Sequence, residues 1–355
     1  MPVPKIPSRL LTLDYLRGYF ILAIIIDHLS RWPSIFGVMS GHALLWVTAA
    51  EGFVIISGLL IGYIRGFKNR GQPLLTISKK LVKRAGLLYL WSIISSLAYV
   101  AIIWYVQLKG GAPTPPFAYN DWGDVILKTI TLQYTNVWVF FITYYAIFLA
   151  IAPLAVWLLR QGKAWLVIII SLTILALGWR LGNQTLQWQA LFYIPSVGGY
   201  YLQNIHSWWL NLKKSYRYMI TASIWVLAVS TITLSVICTY YADGIQTFAN
   251  SLNSLFAKDS ISVYRLIMAF LWFTGFLLFF ASIKNWLKKW FGWLLGLIGS
   301  HSLTAYILHG LALCIISFFT ISGSNLIINS LLGVVAIMIV WGLVRTPAVR
   351  AVIPR

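Results

Sequence analysis

Ten stretches of roughly twenty mainly apolar residues run through this chain, separated by short segments that hold most of its lysines and arginines. A helix needs about 20 such residues to cross the hydrocarbon core of a bilayer. Inside lipid, every backbone polar group must be satisfied within its own element or by a protein neighbour. The pattern therefore predicts an all-α integral membrane protein, a bundle of about ten transmembrane helices. The predicted spans are 11–31, 43–64, 83–107, 136–159, 164–180, 189–204, 217–240, 263–283, 298–320 and 325–344. The sixth is short and holds Pro195, Gly198 and Gly199, so a broken or re-entrant segment is expected there. Hydrophobic residues make up 60% of the chain and charged ones 10%, too little polar surface to coat soluble domains. One membrane domain over 1–355 is expected. The first apolar run carries Asp14, Arg17, Asp27 and His28 with no small-residue cleavage site after it, so it reads as a retained helix. Both cysteines, Cys238 and Cys314, lie inside apolar runs, which predicts neither a disulfide framework nor a metal site.

A net charge of +20 invites a nucleic-acid reading, but the distribution of the charge argues against it. With the N-terminus inside, the cytoplasmic segments collect twenty basic residues and no acidic one, from Lys5 and Arg9 to Arg345, Arg350 and Arg355. The opposite side holds Arg31, Lys109, Lys128, Arg180, Lys258 and Arg265 together with Asp121, Asp124, Asp243 and Asp259. This is the positive-inside pattern, and it puts both termini in the cytoplasm. The longest outer loop, 108–135, begins GGAPTPP and continues with Trp122, Val125, Ile126 and Ile130 at helical spacing, which predicts a short helix on the outer surface.

Asp14, Asp27 and Glu51 are the acidic residues that fall inside predicted spans, and Arg17, His28 and His309 join them. An ionisable group at membrane depth costs several kcal/mol, so such groups face a partner or a wet cavity and mark functional sites. Arg17 and His28 are eleven positions apart, about three helical turns, and so share one face about 16 Å apart. That face presents a fixed cation near the cytoplasmic end and an acid/base group near the outer end. Asp14 is spaced to pair with Arg17, whereas Asp27 points about 100° away from His28. Glu51, among Ala49, Ala50, Gly52, Ser57 and Gly58, is expected two turns below the outer end of its span and within reach of His28. His309 ends the run SLTAYILH. Taken singly, each group is as readily explained by satisfying a neighbour; together, six in three spans favour a shared site. The basic segment 65–84 suits anionic lipid headgroups for most of its length. Lys79, Lys80, Lys83 and Arg84 enter the third span and are candidates for holding donor phosphates.

The opening RLLTLDYLRGYFILAIIIDHL, with Arg17 and His28, resembles the signature of the membrane acyltransferase-three superfamily. AAEGFVIISGLLIGYIRG and the mid-chain WQALFYIPSVGGYY resemble the branch containing the OpgC proteins, which succinylate periplasmic glucans, and LIGSHSLTAYILH resembles the superfamily's closing motif. The resemblance implies acyl transfer from cytoplasmic acyl-CoA, a co-substrate and not a bound cofactor, to a hydroxyl of a glycan or glycolipid on the outer side of a bacterial cytoplasmic membrane. It implies an acetyl or succinyl class of acyl group. His28 is then the catalytic base or acyl carrier, Arg17 supports donor binding or the buried network, and Glu51 and His309 are pocket residues. Histidine supplies a base near neutral pH, so the chemistry agrees. A secondary transporter also buries Asp, Glu, His and Arg, but its two halves carry matching interruptions, and here the buried charges crowd into the first two spans. A lipid-linked glycosyltransferase wants a carboxylate pair in an outer loop; Asp121 and Asp124 read more simply as the polar start of the surface helix.

Overall fold

The computed structural model describes residues 10–107, 117–317 and 325–353. Every regular element among them is helical. The chain opens with α1 (Leu11–Leu29), a short α2 (Gly37–Ser40) and a 3-10 turn (Gly41–Ala43). α3 (Ala49–Leu60) runs straight into a π-helix (Ile61–Lys68), followed by α4 (Leu74–Gln107), α5 (Trp122–Ile130), α6 (Phe140–Arg160) and α7 (Ala164–Leu181). Three short helices then lie end to end: α8 (Gln184–Trp188), α9 (Ala190–Tyr200) and α10 (Leu202–Asn211). The remainder is α11 (Lys214–Tyr240), α12 (Gln246–Ser254), α13 (Val263–Ser282), α14 (Lys284–Trp290), α15 (Gly292–Ser300), α16 (Ser302–Ser317), α17 (Leu326–Arg345) and α18 (Pro347–Val352).

Seven of these segments are long and apolar enough to cross a membrane: α3 with its π-helical continuation, α4, α6, α7, α11, α13 and α17. The other three predicted spans depart from that form for separate reasons. α1 has the length, but Asp14, Arg17 and Asp27 make it too charged. α9, in the sixth span, has 11 residues and is about 16 Å long, half of what a crossing needs. The ninth is bent by 101° between α15 and α16, so the continuous helix expected over 298–320 is replaced by two short ones, and residues 318–320 lie outside the described residues. The GGAPTPP stretch is likewise outside them. The helix expected after it is present as α5, whose Val125 packs against Val100 and Trp104 of α4.

The second span also starts later than expected. Residues 44–47 are apolar, but the helix begins only after Thr48, whose side chain and backbone form a reciprocal capping box with Glu51. Glu51 therefore sits in the first helical turn and not two turns inside the span.

α1 is the hub. It packs against α3, α13, α15, α16 and α17, and Leu16, Ile21 and Ile25 are fully buried. Glycines let backbones touch at two seams. Gly18 of α1 lies on the Leu295 carbonyl, and Gly299 of α15 lies on the Asp14 carbonyl. At the second seam Gly58 and Gly62 rest on the carbonyls of Phe192 and Ser196, and Gly199 rests on that of Leu59. Small residues at a helix interface are how membrane helices gain packing where lipid offers no hydrophobic contrast. α11 is peripheral and leaves Val226, Leu227 and Val229 exposed, as a lipid-facing helix does.

The second seam gives a paired test. A Cβ on Gly62 would overlap the Ser196 carbonyl oxygen, whereas one on Gly198 would meet open space. Gly→Ala in a helix is otherwise worth about 0.5–1 kcal/mol of added stability. Gly198→Ala is therefore expected to hold or raise the melting temperature in detergent, and Gly62→Ala to lower it, since overpacking costs about 1–3 kcal/mol of stability. Equal melting temperatures for the two variants would contradict the seam.

Candidate functional site

The intramembrane charges form three groups, two of them at opposite ends of α1. At its C-terminal end, Nδ1 of His28 is 2.7 Å from Nε2 of His309, which α16 supplies. The two imidazole centroids are 5.0 Å apart. The other nitrogen of His309, Nδ1, donates to the Tyr306 carbonyl one turn back on the same helix. A carbonyl can only accept, so this bond fixes the proton of a neutral His309 on Nδ1. Nε2 of His309 is then an acceptor, and the proton between the rings belongs to Nδ1 of His28. What remains is the lone pair on Nε2 of His28. His309 is fully buried and His28 half-buried, and among the described residues no hydrogen bond reaches that nitrogen. The arrangement is a base with its tautomer set from behind, the logic by which a second group orients a catalytic histidine.

At the other end, Arg17 lines a cavity of about 210 Å³ together with Arg65 from the π-helix and Arg84 from α4. Tyr145, Ser57, Ser300 and Ser302 complete its polar lining, and no carboxylate lines it. Asp14 acts on Arg17 from outside that lining, and the Arg84 charge acts on both Arg17 and Arg65. Nε of Arg17 is buried with no hydrogen bond among the described residues. Three guanidiniums held close repel one another, and an anion with several oxygens relieves that repulsion. A further arginine positions the group. Arg160 of α6 donates to the carbonyls of Arg65 and Asn69 at 2.7 Å each and to that of Gln72 at 2.8 Å, fixing the end of the π-helix that carries Arg65.

Aromatic rings join the two ends. Phe53 lines the arginine cavity and stacks on Tyr306 with centroids 6.3 Å apart, and Tyr306 stands 4.9 Å from the His309 ring.

The third group corrects an expectation. Glu51 does not serve His28. One of its oxygens accepts from Nε of Arg265 at 2.7 Å and also from Nη2, and the other accepts from Thr48 N at 3.0 Å and Thr48 Oγ1 at 2.5 Å. Arg265 in turn donates to the carbonyls of Phe256 and Ala257. The carboxylate is completely buried with its acceptor capacity used, so the pair ties the start of α3 to the start of α13. Nothing is left for chemistry.

Asp27 also belongs elsewhere. Its carboxylate lies by Ser40 and the Ala43 backbone and feels the charge of Lys258, away from the histidines. Desolvation, and then the Arg265 cation, lower the Lys258 pKa from its ordinary value against the pull of Asp27 and Glu51. Of the four donor-phosphate candidates only Arg84 reaches the cavity; Lys79, Lys80 and Lys83 are exposed and do not line it. The mid-chain WQALF segment braces the fold. Gln189 exchanges hydrogen bonds with Ser171 of α7, and Gln187 accepts from Ser260 and the Ile261 backbone.

Sequence reasoning missed Arg65 as a pocket residue and Arg265 as a buried one. Arg265 stands two residues inside its apolar run and looks like an outer flank. Its signal was the Ser262 cap three residues before it, which turns the following residues into a helix.

Breaking a buried ion pair by removing one partner costs about 3–5 kcal/mol, whereas replacing both with apolar residues is often neutral. Arg265→Met alone is expected to lose most of the folded protein on heating, and Glu51→Leu with Arg265→Met to recover it. A stable Glu51→Gln protein without activity would instead restore Glu51 to the chemistry.

Comparison with known proteins gives a family match: the family described as "OpgC protein" matches residues 9–350, nearly the whole chain. No curated protein and no solved structure matches.

Proposed function

The chain belongs to the OpgC family, and from that membership and the two ends of α1 we propose that it carries an acyl group from acyl-CoA on the cytoplasmic side to a hydroxyl of a glycan or glycolipid on the outer side. The family implies an acyltransferase-type membrane enzyme; the donor, the direction and the acceptor are this proposal's own. One observation carries it. A single helix bears an oriented histidine base at one end and a three-arginine anion cavity at the other. In this reading the whole chain is one domain of ten spans, with α1, the interrupted α8–α10 run and the bent α15–α16 pair counted as three of them. Both termini face the cytoplasm of a bacterial inner membrane, as the one-sided loop charges favour.

Arg17, Arg65 and Arg84 bind the phosphates of CoA, and the pantetheine arm runs along the Phe53–Tyr306 rings toward the dyad. The acceptor oxygen attacks the thioester carbonyl carbon while its proton passes to Nε2 of His28. Nε2 of His309 holds the imidazolium by accepting from Nδ1–H of His28. The carbon–sulfur bond breaks, and the leaving thiolate takes the proton back, giving an ester and free CoA. Acetyl and succinyl groups both suit this scheme. Lys79, Lys80 and Lys83 meet anionic lipid headgroups.

Purified protein in lipid discs tests the assignment. Replacing His28 with Ala or with Gln is expected to lower transfer roughly a hundredfold to ten-thousandfold, because glutamine keeps a hydrogen bond but takes no proton. Arg17→Lys keeps charge without the planar fork and is expected to be partly active. Arg65→Gln and Arg84→Gln are expected to raise KM for acyl-CoA, and the same change at Lys79, Lys80 or Lys83 to leave it alone. A monodisperse His28→Gln protein working at near wild-type rate would remove the catalytic assignment.

A further inference from the structure

The outer end of the bundle carries a cavity that neither the histidine pair nor the arginine group uses. It measures about 410 Å³ and lies between residues 44–46, the end of α11, α12 and residues 256–258. Its floor is rigid. The Trp46 indole stacks flat on Phe256, with centroids 4.2 Å apart and planes 9° apart. Its Nε1 donates to Asn253 Oδ1 at 2.7 Å, and Asn253 Nδ2 donates to the Cys238 carbonyl at 3.0 Å.

The rim is different. Gln246 Nε2 donates to Asn250 Oδ1 at 2.9 Å, and both residues are exposed. That bond leaves an amide oxygen on Gln246 and an amide nitrogen on Asn250 with no further hydrogen bond among the described residues. Tyr240 is 38% exposed. Its hydroxyl is anchored on the Gly41 carbonyl at 2.8 Å, and one side of it is backed by His42, which stacks on Trp32. Asp243 and Lys258 add one charge of each sign.

Free amide donors and acceptors beside a fixed aromatic face suit a polyhydroxyl ligand, whose hydroxyls both give and accept hydrogen bonds and whose C–H face lies on a ring. The balanced charge favours a neutral one. The cavity also adjoins the reaction end of α1, since Lys258 and Tyr240 both interact with the Asp27 charge, one residue before His28. Yet neither histidine lines it, and residues 27 and 28 point about 100° apart.

We propose that this vestibule is a holding subsite for a neutral sugar unit of the acceptor, next to the unit that is acylated. The proposal rests on the acyl-transfer reading for its purpose, but binding of sugar is measurable without transfer. Gln246 and Asn250 set the affinity, and Tyr240 provides the stacking face. The same chemistry serves a free glycan and a sugar carried on a lipid.

The test is ligand-observed NMR on the full chain in lipid discs, with a short neutral gluco-oligosaccharide in solution and, in a second arm, the same sugar on a lipid anchor in the disc. The wild-type protein and the His28→Ala variant are expected to bind alike. The Gln246→Ala/Asn250→Ala double variant is expected to bind roughly tenfold more weakly, the loss of about two neutral hydrogen bonds. Asn250→Trp, which fills the rim, is expected to abolish binding, and an unchanged acyl-CoA affinity in both variants shows that they are folded. Binding of the free sugar identifies a soluble glycan as acceptor, and binding of the anchored form alone identifies a glycolipid. Wild-type affinity in the double variant, or no saturation of either sugar by the wild-type protein, overturns the subsite. A wild-type acceptor KM in the double variant beside an inactive His28→Ala protein would do the same while leaving acyl transfer standing.

Discussion

Helix α1 carries a guanidinium near one end and an imidazole near the other through an otherwise apolar core, and neither group is tolerable there without partners from other helices. The structure surrounds them with groups from several other helices. Asp14 and Tyr145 favour the Arg17 charge while Arg84 opposes it, the serines of the α15–α16 bend and Arg65 of the π-helix line the same cavity, and His309 meets His28 from α16. The helices α15 and α16 meet at a 101° bend. Ser300 and Ser302 at the bend line the arginine cavity, and His309, two turns on from Ser302, reaches His28. Gly18 and Gly299 bring α1 and α15 into backbone contact beside the same cavity. Packing and site are thus one problem solved along one helix.

The rest of the charged machinery holds that helix and its neighbours in register. Glu51 and Arg265 form a brace whose every lone pair and most N–H groups are occupied. Arg160 does the same at the end of the π-helix with three carbonyls. A π-helix widens the turn, and such segments often lie where a side chain must be re-aimed; here Arg65 is the side chain that turns inward. Groups that look alike in sequence thus divide into those whose valences are filled by protein and those that line a cavity.

Much of this was legible in the chain. Apolar length gave the helices, and the eleven-residue spacing placed Arg17 and His28 on one face. The contact between His28 and His309 was not, because it joins residues 281 positions apart and no local period encodes it. Glu51 misled for the opposite reason: Thr48 and Glu51 are a local capping box, but the apolar residues before them suggested a helix already under way. On α4 the signal was present and unread. Ile77, Leu81, Ala85 and Leu88 form the buried stripe, so helical periodicity puts Arg84 at its edge and leaves Lys79, Lys80 and Lys83 outside.

In the proposed function one helix connects a donor site on one side of the membrane to an acceptor site on the other. Proteoliposomes in which the population with its basic loops outward is selected, with labelled acyl-CoA added outside and the acceptor glycan sealed inside, measure this directly. The account predicts labelled acceptor in the lumen, none when donor and acceptor are both outside, and none with His28→Ala. Labelled product formed only when donor and acceptor share one side would contradict it.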